Sequence, residues 1–194
     1  MLIDVIVTGV TGLMLDKFTV DLLDKGPKST NGKQELEPKE QAYAKLYLDH
    51  DGNPIFPADN LLSCIIDAGR YIKIGKRQLS TRDTTIVTSF LSIVEESIKI
   101  ESEHGWRVDA RGVVNPATKG RHVNYRPLFD DWKLAFTLDI DEKEVRLDTV
   151  RELIDRAGKA VGLAVMRPSR KGRYGQFKVT CWKIADKAKV AAAA

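Results

Sequence analysis

The sequence has few of the residues that build metal or nucleophilic centres. Its 194 residues include two cysteines and three histidines, and none of them falls in a metal-ligand spacing such as H-x₃₋₅-H. We expect His50, His104 and His122, which lie far apart in polar segments, to be surface side chains. Cys64 and Cys181 lie in apolar patterns, which predicts two buried, unpaired thiols in a reducing compartment. The expectation is a protein without a metal or another cofactor.

Other common signatures are missing as well. The sequence has no G-x-S-x-G nucleophile elbow and no G-x-x-x-x-G-K-[ST] phosphate loop, so it does not resemble the usual hydrolases or ATPases. No apolar run approaches the roughly 20 residues that span a bilayer. The segment Met1–Asp4 lacks the basic and apolar pattern of a signal peptide. These absences favour a cytoplasmic protein that does not contact membranes.

Charge is abundant, and it is separated along the chain. Lys and Arg number 31 against 27 Asp and Glu, which gives a net charge of +4. Three segments are basic, namely residues 70–82, 105–126 and 167–178, whereas acids gather over residues 139–148. Separation of this kind can create a face that binds polyanions on a nearly neutral protein.

Several segments have the short apolar or alternating pattern of strands. They are Leu2–Val10, Ala42–Leu48, Trp132–Ile140 and Phe177–Ile184. Leu13–Leu23 is predicted to be a further strand or a ribbon, and Lys25–Gln41, which is polar and contains glycine and proline, an exposed mobile loop. Thr84–Glu101 is ambiguous between helix and strand, and strand is favoured over Ser97–Glu101.

Two segments have the periodicity of amphipathic helices. The first begins at Pro57–Asp59, and its apolar residues recur every three or four positions as far as Ile72. The second begins at Asp148 or at Thr149, where Thr149 and Glu152 have the spacing of a capping box. We predict that this helix ends at Gly162, in the left-handed conformation that glycine favours.

The strongest elements follow one another in the order β-α-β-β-α-β. This order predicts an α+β, ferredoxin-like (RRM-like) fold. Residues 1–186 would form a single domain with insertions at 11–56 and 103–127, and the second insertion would be a β-hairpin around the Asn115-Pro116 turn. The tail, residues 187–194, is predicted to be disordered.

The segment Gly162–Gln176, here called the glycine loop, has the clearest functional pattern. Glycines let a backbone approach a ligand and present N–H groups to an anion, cations contact phosphates, and a tyrosine can stack on a base. The residues predicted to bind RNA here are Gly162, Arg167, Arg170, Lys171, Gly172, Arg173, Tyr174 and Gly175. A solvated loop whose glycines only make turns is the alternative. A dinucleotide fingerprint is not indicated, because the glycines follow a helix instead of a strand.

Two further basic stretches are candidate binding surfaces. The predicted hairpin mixes cations with aromatic residues, as proteins that bind single strands do; its candidates are Trp106, Arg107, Arg111, Lys119, Arg121, Tyr125 and Arg126. The end of the first helix contributes Arg70, Lys73, Lys76 and Arg77. An edge hairpin protected by charge and a solvated helix end are the alternatives.

These features resemble the RAMP superfamily of CRISPR-associated RNA-binding proteins. Gly162–Phe177 is similar to that superfamily's glycine-rich loop, and Val5–Leu15 resembles its first strand and the turn that follows. The insertion at 103–127 lies where CRISPR backbone subunits carry a projecting hairpin, the thumb. Small phage-encoded proteins of unknown role are similar too. The chain departs from many members in having one glycine in Gly162–Arg167, where they have a tighter Gly-x-Gly.

The resemblance implies a ribonucleoprotein subunit. Its expected partners are RNA, either a guide-like or another single strand, and other subunits or copies of the chain itself. Residues of the kind used by RNA-cleaving members cannot be matched here. Two alternatives stay open: a metal-dependent ribonuclease of the same fold using acids such as Asp16 or Asp131, and a phage structural, assembly or single-strand DNA-binding protein.

Overall fold

The computed structural model describes residues 1–18, 37–114 and 119–185, and these form a mixed α+β fold. The strands in these ranges are β1 Leu2–Gly9, β2 Leu13–Met14, β3 Tyr47–Leu48, β4 Pro54–Pro57, β5 Lys73–Ile74, β6 Arg77–Gln78, β7 Leu91–Ile93, β8 Ser97–Glu101, β9 Arg107–Val114, β10 Arg121–Phe129, β11 Lys133–Ile140 and β12 Phe177–Ile184. The helices are α1 Pro38–Tyr43, α2 Ala58–Ala68, α3 Val87–Phe90 and α4 Leu147–Arg156. Short 3₁₀ turns cover Gly69–Tyr71 and Pro168–Arg170, and a π turn covers Ala157–Val161.

The main sheet has the strand order β12-β1-β11-β8-β4-β3, and β7 also pairs with β11. Neighbouring strands in it are antiparallel; Val5 of β1, for example, lies between Phe136 of β11 and Trp182 of β12. Alternate residues of β1, such as Ile3 and Val5, are buried in the same cluster as residues of α2 and α4. The core therefore lies between one face of this sheet and the two longest helices of the described chain.

Two smaller sheets lie beside the main one. Strands β2, β10 and β9 form a three-stranded antiparallel sheet, in which β9 and β10 are the two arms of a hairpin. Strands β5 and β6 form a two-stranded ribbon just after α2. These two sheets carry most of the basic residues singled out from the sequence outside the glycine loop.

Several predictions of local structure are confirmed. Three strands, Leu2–Gly9, Lys133–Ile140 and Phe177–Ile184, match the predicted segments closely. The first helix begins next to Pro57 as expected, and its last predicted turn is the 3₁₀ turn Gly69–Tyr71. The hairpin at 103–127 is also present, with its tip, residues 115–118, outside the described residues.

The strand predicted at Ala42–Leu48 is wrong. Its first two residues end helix α1, and only Tyr47–Leu48 is extended. The helix forms because Pro38 occupies its first turn and because Glu37 and Glu40 make a capping box, with the Glu37 amide donating to Glu40 Oε2 at 3.1 Å.

The loop predicted at Lys25–Gln41 is wrong over its described end, because residues 38–41 belong to α1. Its remaining part up to residue 36 lies outside the described residues, as does the second half of the strand predicted at Leu13–Leu23, of which β2 covers only Leu13–Met14. The predicted tail at 187–194 is likewise outside them.

The capping box predicted at Thr149 is not formed. Helix α4 begins earlier, at Leu147, with Arg146 as its N-cap residue and no side-chain cap. Leu147 packs against the core, and apolar packing therefore sets the start of the helix. At its end Gly162 has a positive φ of 75°, as expected, but its ψ of 167° is extended and not left-handed helical.

The two thiols differ in burial, which corrects the expectation that both are buried. Cys64 on α2 is 4% exposed, and burial raises its pKa to about 12. Cys181 on β12 is half-buried. The region 84–101 contains both of the elements considered for it, since helix α3 is followed by strands β7 and β8.

Candidate nucleic-acid interface

The glycine loop is fixed to the turn between β1 and β2. The Gly175 amide donates to Gly12 O at 2.8 Å, and the Gln176 amide donates to Thr11 Oγ1 at 3.0 Å. On its other side the Val165 amide donates to Met14 O at 3.2 Å. The loop is therefore a packed element of the fold, held at both of its ends.

The glycines of this loop serve its own packing. A Cβ on Gly172 would lie 1.7 Å from Met166 O, and a Cβ on Gly175, whose φ is +71°, would lie 2.0 Å from Leu163 O. Both contacts are far below any real Cβ separation and involve backbone, so no side chain fits. This close approach replaces the one that the sequence predicted, between the loop and a ligand.

Most of the expected cradle of backbone amides is used inside the protein. The Leu163 amide donates to Gly175 O at 2.9 Å, the Gly172 amide to Arg167 O at 3.0 Å and the Tyr174 amide to Met166 O at 3.0 Å. These amides are not available to an anion. Binding of phosphate by this loop would therefore depend on its side chains.

Tyr174 has a structural position that differs from the predicted one. It is 8% exposed and packs with Met14 and Leu128. The guanidinium carbons of Arg111 and Arg173 lie 5.0 and 5.3 Å from the centre of its ring, and its hydroxyl accepts hydrogen bonds from both arginines. The hydrogen bond from Arg173, followed by the one from Arg111, lowers the pKa of Tyr174. The ring thus joins the loop to the hairpin and is not available to stack on a base.

The cations of the glycine loop fall into two groups. Arg167 is half-buried and donates to Ala164 O at 2.8 Å and to Ser169 Oγ at 3.1 Å. Arg170, Lys171 and Arg173 are exposed, and among the described residues no carboxylate lies within 4.0 Å of them. Three cations within four residues are therefore presented to solvent on a fixed backbone.

Three arginines of the hairpin are instead paired with acids. Arg111 makes a two-pronged contact with Asp109, at 2.5 and 3.1 Å, and Arg107 makes the same kind of contact with Asp130, at 2.5 and 3.0 Å. The hydrogen bonds to these carboxylates raise the pKa of both arginines, and the one from Arg107 lowers the pKa of Asp130. Their charges are balanced within the fold.

Arg126 belongs to a second, less exposed cluster at the base of the hairpin. Its Nε donates to Asp16 Oδ2 at 2.7 Å, and Lys45 lies 3.6 Å from the other oxygen of Asp16. Lys45 also donates to Asn124 Oδ1 and to Tyr125 O. Burial, with the nearby charge of Arg126, lowers the pKa of Lys45, and Asp16 opposes this shift. Sequence reasoning missed both Lys45 and the role of Asp16 as a structural partner.

The remaining hairpin candidates divide by position. Lys119 and Arg121, next to the tip, are exposed. Trp106 and Tyr125 are half-buried, and the Trp106 ring lies 6.3 Å from that of Tyr43 on α1. Trp106 therefore packs at the base of the hairpin, and the exposed cations without a carboxylate partner lie next to its tip.

The third basic stretch lies on the β5–β6 ribbon and the turn before it. Arg70 is paired with Asp67 of α2 at 2.8 Å. Lys73, Lys76 and Arg77 are exposed. Of the predicted set, these three cations share a small element that is distinct from both the loop and the hairpin.

The central strands offer no aromatic platform on their open face. On the side of β1 away from the helices lie Asp4, Ile6 and Thr8, and the described residues of β12, β11 and β8 add no aromatic residue there. Trp182 is on the helix side, where the guanidinium of Arg151 lies 5.5 Å from its ring. Stacking of bases on the sheet, as an RRM-like protein would do, has no support here.

A cavity of about 200 Å³ with a mixed polar and apolar lining lies between α2 and the glycine loop. Its lining comprises Leu15, Asp16, Tyr47, Phe56, Asn60, Ser63, Cys64, Asp67, Gly162, Leu163, Ala164, Val165 and Arg167. The Cys64 thiol is 3.3 Å from Gly162 O and stays protonated, so it is no nucleophile. Among the residues described, no group of three or more His, Cys, Asp and Glu is placed to hold a metal ion.

The acids proposed for a nuclease have other partners. Asp16 is held by Arg126 and Lys45, as described above. Asp131 accepts hydrogen bonds from the Glu103 amide at 2.6 Å and from Ser102 Oγ at 3.2 Å, which lower its pKa. Within the described part of the chain, no helix is long and apolar enough to cross a membrane.

Comparison with known proteins gives a likeness of fold. No protein-family model matches the sequence, and no curated protein matches it. The structure is similar to a chain in the cryo-EM structure of the Type III-B Cmr-beta bound to cognate target RNA, with a TM-score of 0.56 and 12% identity. The match covers 94% of this chain and 59% of that one, so this chain spans well under two thirds of its neighbour's length. At this identity the two share a fold, and that fold is found in an RNA-bound assembly.

Proposed function

We propose that the chain binds single-stranded RNA without cleaving it, as a subunit of a CRISPR-like or phage-encoded ribonucleoprotein. The observation that carries this proposal is the exposed trio Arg170, Lys171 and Arg173 on the glycine loop. Cations of this kind neutralise phosphates and release condensed counterions, which supplies affinity that does not depend on base sequence.

The fixed backbone of the loop supports the same proposal. Its hydrogen bonds to Gly12, Thr11 and Met14 hold the trio in place before any ligand arrives. A prearranged surface loses less conformational entropy on binding than a mobile loop with the same charges. Tyr174 contributes by holding Arg173 against the hairpin.

The hairpin would extend this surface through its exposed cations. Lys119 and Arg121 lie near its tip, whereas Arg107, Arg111 and Arg126 are engaged with carboxylates. In the proposed complex the paired arginines keep the hairpin in shape, and the tip cations contact the strand. RNA would then pass from the glycine loop toward the hairpin.

The order of the elements supports a ferredoxin-like core for this protein. β1, α2, β8, β11, α4 and β12 follow one another as β-α-β-β-α-β, and the corresponding strands are neighbours in the order β12-β1-β11-β8. On this assignment the hairpin β9–β10 is an insertion between β8 and β11. The segment from β2 to β4 is a second insertion, between β1 and α2.

Two similarities favour RNA over DNA and favour a multisubunit partner. One is the resemblance of the sequence to RAMP proteins at Val5–Leu15 and Gly162–Phe177. The other is the shared fold with a chain of the RNA-bound Type III-B Cmr-beta. Other subunits, or copies of the chain itself, are the protein partners we propose.

The test is a titration of fluorescently labelled single-stranded RNA with wild-type protein and two charge-reversal variants. Arg170→Glu/Arg173→Glu changes the glycine loop, and Lys143→Glu/Arg146→Glu changes two exposed cations of the acidic segment by the same total charge. We expect the loop variant to bind at least about tenfold more weakly, as the loss and reversal of two phosphate contacts requires, and the control to change little.

Four outcomes would contradict the proposal. Equal weakening in both variants would show that only net charge matters. Unchanged affinity in the loop variant would remove the loop from the interface. Tighter binding of single-stranded DNA in a parallel titration, or products from the RNA on addition of Mg²⁺, would favour the alternatives of a DNA-binding protein or a nuclease.

A further inference from the structure

A second basic site lies on the β5–β6 ribbon, away from the glycine loop. The ribbon and the turn that follows it enclose an open pocket of about 350 Å³. Its lining comprises Lys73, Lys76, Arg77, Gln78, Leu79, Thr81, Thr84, Thr85 and Ile86. Three of these residues are cations and none is an acid, so the pocket has a formal charge of +3.

The frame of the pocket is fixed by hydrogen bonds to the end of α2. The Leu79 amide donates to Ile72 O at 3.1 Å, and the Ser80 amide donates to Gly69 O at 3.3 Å. Ser80 is 1% exposed, and a Cβ on Gly69 would lie 2.5 Å from its Oγ. The chain that follows the ribbon is therefore packed tightly against the end of the helix, whereas the ribbon strands Lys73–Ile74 and Arg77–Gln78 are exposed.

The other wall of the pocket is a compact turn. The Thr81 amide donates to Thr84 O at 2.8 Å, and the Thr84 amide donates to Thr81 Oγ1 at 3.1 Å. The Ser80 and Thr85 hydroxyls are 2.8 Å apart. Thr81, Thr84 and Thr85 thus line the same cleft as the cations, and their hydroxyls are hydrogen-bonded to one another or to Ser80.

Three cations line one cleft, and no acid balances them there. Among the described residues no carboxylate lies within 4.0 Å of Lys73, Lys76 or Arg77. Arg70, at the start of the same segment, does have a carboxylate partner, Asp67. The three cations of the pocket are therefore available to an anion, whereas Arg70 is already paired.

We infer that this pocket binds a terminal phosphate, that is, a phosphate monoester dianion. Its volume is at the lower end of small-ligand sites, and it contains no aromatic side chain on which a base could stack. The phosphate would therefore supply most of the affinity. The ligand is either a free mononucleotide or the phosphorylated end of a nucleic-acid strand. This inference stands on the pocket alone and does not depend on RNA binding by the glycine loop.

The dianion can be recognised by its pH dependence. The second ionisation of a phosphate monoester has a pKa of about 6. The lining contains two lysines and an arginine and no histidine or carboxylate, the side-chain types whose reference pKa values lie nearest this range. Affinity should therefore rise as the pH goes from 5 to 7.5, whereas a phosphodiester would bind equally across this range.

The test measures binding of adenosine monophosphate and of inorganic phosphate by calorimetry at constant ionic strength. Two variants of equal charge are compared: Lys73→Gln/Arg77→Gln in the pocket, and Lys143→Gln/Arg146→Gln in the acidic segment. We expect the pocket variant to bind at least about tenfold more weakly and the control to bind as wild type does. Thermal unfolding without ligand checks that both variants are folded.

A second arm separates the two sources of the phosphate. RNA with a 5′-phosphate is compared with the same RNA ending in a hydroxyl, in a variant background of Arg170→Gln/Arg173→Gln that weakens the glycine loop. If the phosphorylated strand binds more tightly and Lys73→Gln/Arg77→Gln removes this difference, the site binds strand ends. If the two strands bind equally and the affinity for adenosine monophosphate is intact, the site binds free mononucleotides. No measurable phosphate binding by wild type, or equal loss in both charge variants of the first arm, would overturn the inference.

Discussion

The glycine loop and the β9–β10 hairpin are alike in composition and different in electrostatics. Both combine several arginines with at least one aromatic residue. In the hairpin, Arg107, Arg111 and Arg126 each have a carboxylate within 2.7 Å. In the loop, Arg170 and Arg173 are exposed without such a partner among the described residues. A count of basic residues would rank the two equally, but the loop presents three exposed cations without a carboxylate partner, whereas the described part of the hairpin does so only near its tip.

The difference arises from where the acids lie. Asp109 and Arg111 are two residues apart on one strand, so they share a face, and Asp109 lies directly opposite Arg126 on the neighbouring strand. The segment 167–178 contains no acid at all. An acid two positions away on a strand thus says more about an arginine's availability than the local net charge does.

The largest difference in stability is expected between alanine substitutions at a glycine of the loop and at a glycine of the hairpin. We expect Gly172→Ala to destabilise the protein by about 2–4 kcal/mol, because its Cβ would collide with the backbone of Met166. Gly112→Ala in β9 is the matched control, since a Cβ there meets nothing within 4 Å. Its change should be within about 1 kcal/mol in either direction. Chemical denaturation of the two variants measures both values, and equal destabilisation would contradict a closely packed loop.

The next contrast concerns the cluster at the base of the hairpin. Asp16→Asn removes the carboxylate that lies between Arg126 and Lys45, whose side chains are 14% and 17% exposed. We expect a loss of about 2 kcal/mol, because two poorly hydrated cations are left facing each other. Asp130→Asn, which affects only the exposed pair with Arg107, should cost no more than about 0.5 kcal/mol. A loss of similar size for both would show that the cluster of Asp16, Arg126 and Lys45 stabilises the protein no more than the exposed pair does.

Tyr174 connects the glycine loop to the hairpin, and we expect removal of its hydroxyl to reduce stability less than the changes above. Tyr174→Phe removes the acceptor of the bonds from Arg111 and Arg173, and we expect it to cost about 1 kcal/mol at neutral pH. RNA affinity should fall far less than in a variant of Arg170, because the buried ring has no face for a base. A drop in RNA affinity as large as that of the charge variants would indicate that the Tyr174 ring does stack on a base.

The same variant tests the pH dependence of this contact. The folded-state pKa of Tyr174 lies below that of the unfolded chain, so its ionisation stabilises the folded state. The added stability is fully present above the unfolded pKa, near 10, and is lost as the pH falls through the folded pKa. The difference in unfolding free energy between wild type and Tyr174→Phe should therefore grow as the pH rises toward 10. A constant or shrinking difference would contradict this assignment.

Regular elements with a strong pattern could be predicted from the sequence. Strands β1, β11 and β12 and the beginning of α2 follow from apolar alternation, from helical periodicity and from Pro57. Helix α1 was missed because its signal is a capping box of two glutamates in a segment whose later residues alternate. The Thr149 capping box was overridden by the packing of residues before it.

The residue types of the glycine loop could be predicted from the sequence, but their contacts could not. The glycines, cations and tyrosine of the loop were recognised together, but sequence alone could not show that Gly172 and Gly175 accommodate the loop's own backbone. It also could not show that Tyr174 is buried between two guanidinium groups, since this contact joins residues 63 positions apart. Long-range contacts of this kind decide which of several basic residues can reach a ligand.

The most direct test of the central claim is the salt dependence of RNA binding. For single strands, log K falls with log[salt] with a slope of about −0.7 per phosphate neutralised. Arg170→Gln/Lys171→Gln, in the loop, should reduce the steepness of the slope by about 1.4. Arg107→Gln/Arg146→Gln removes two arginines that have carboxylate partners and should leave the slope unchanged. A slope that is unchanged in the loop variant, or reduced equally in both, would contradict the claim that the glycine loop holds the RNA backbone.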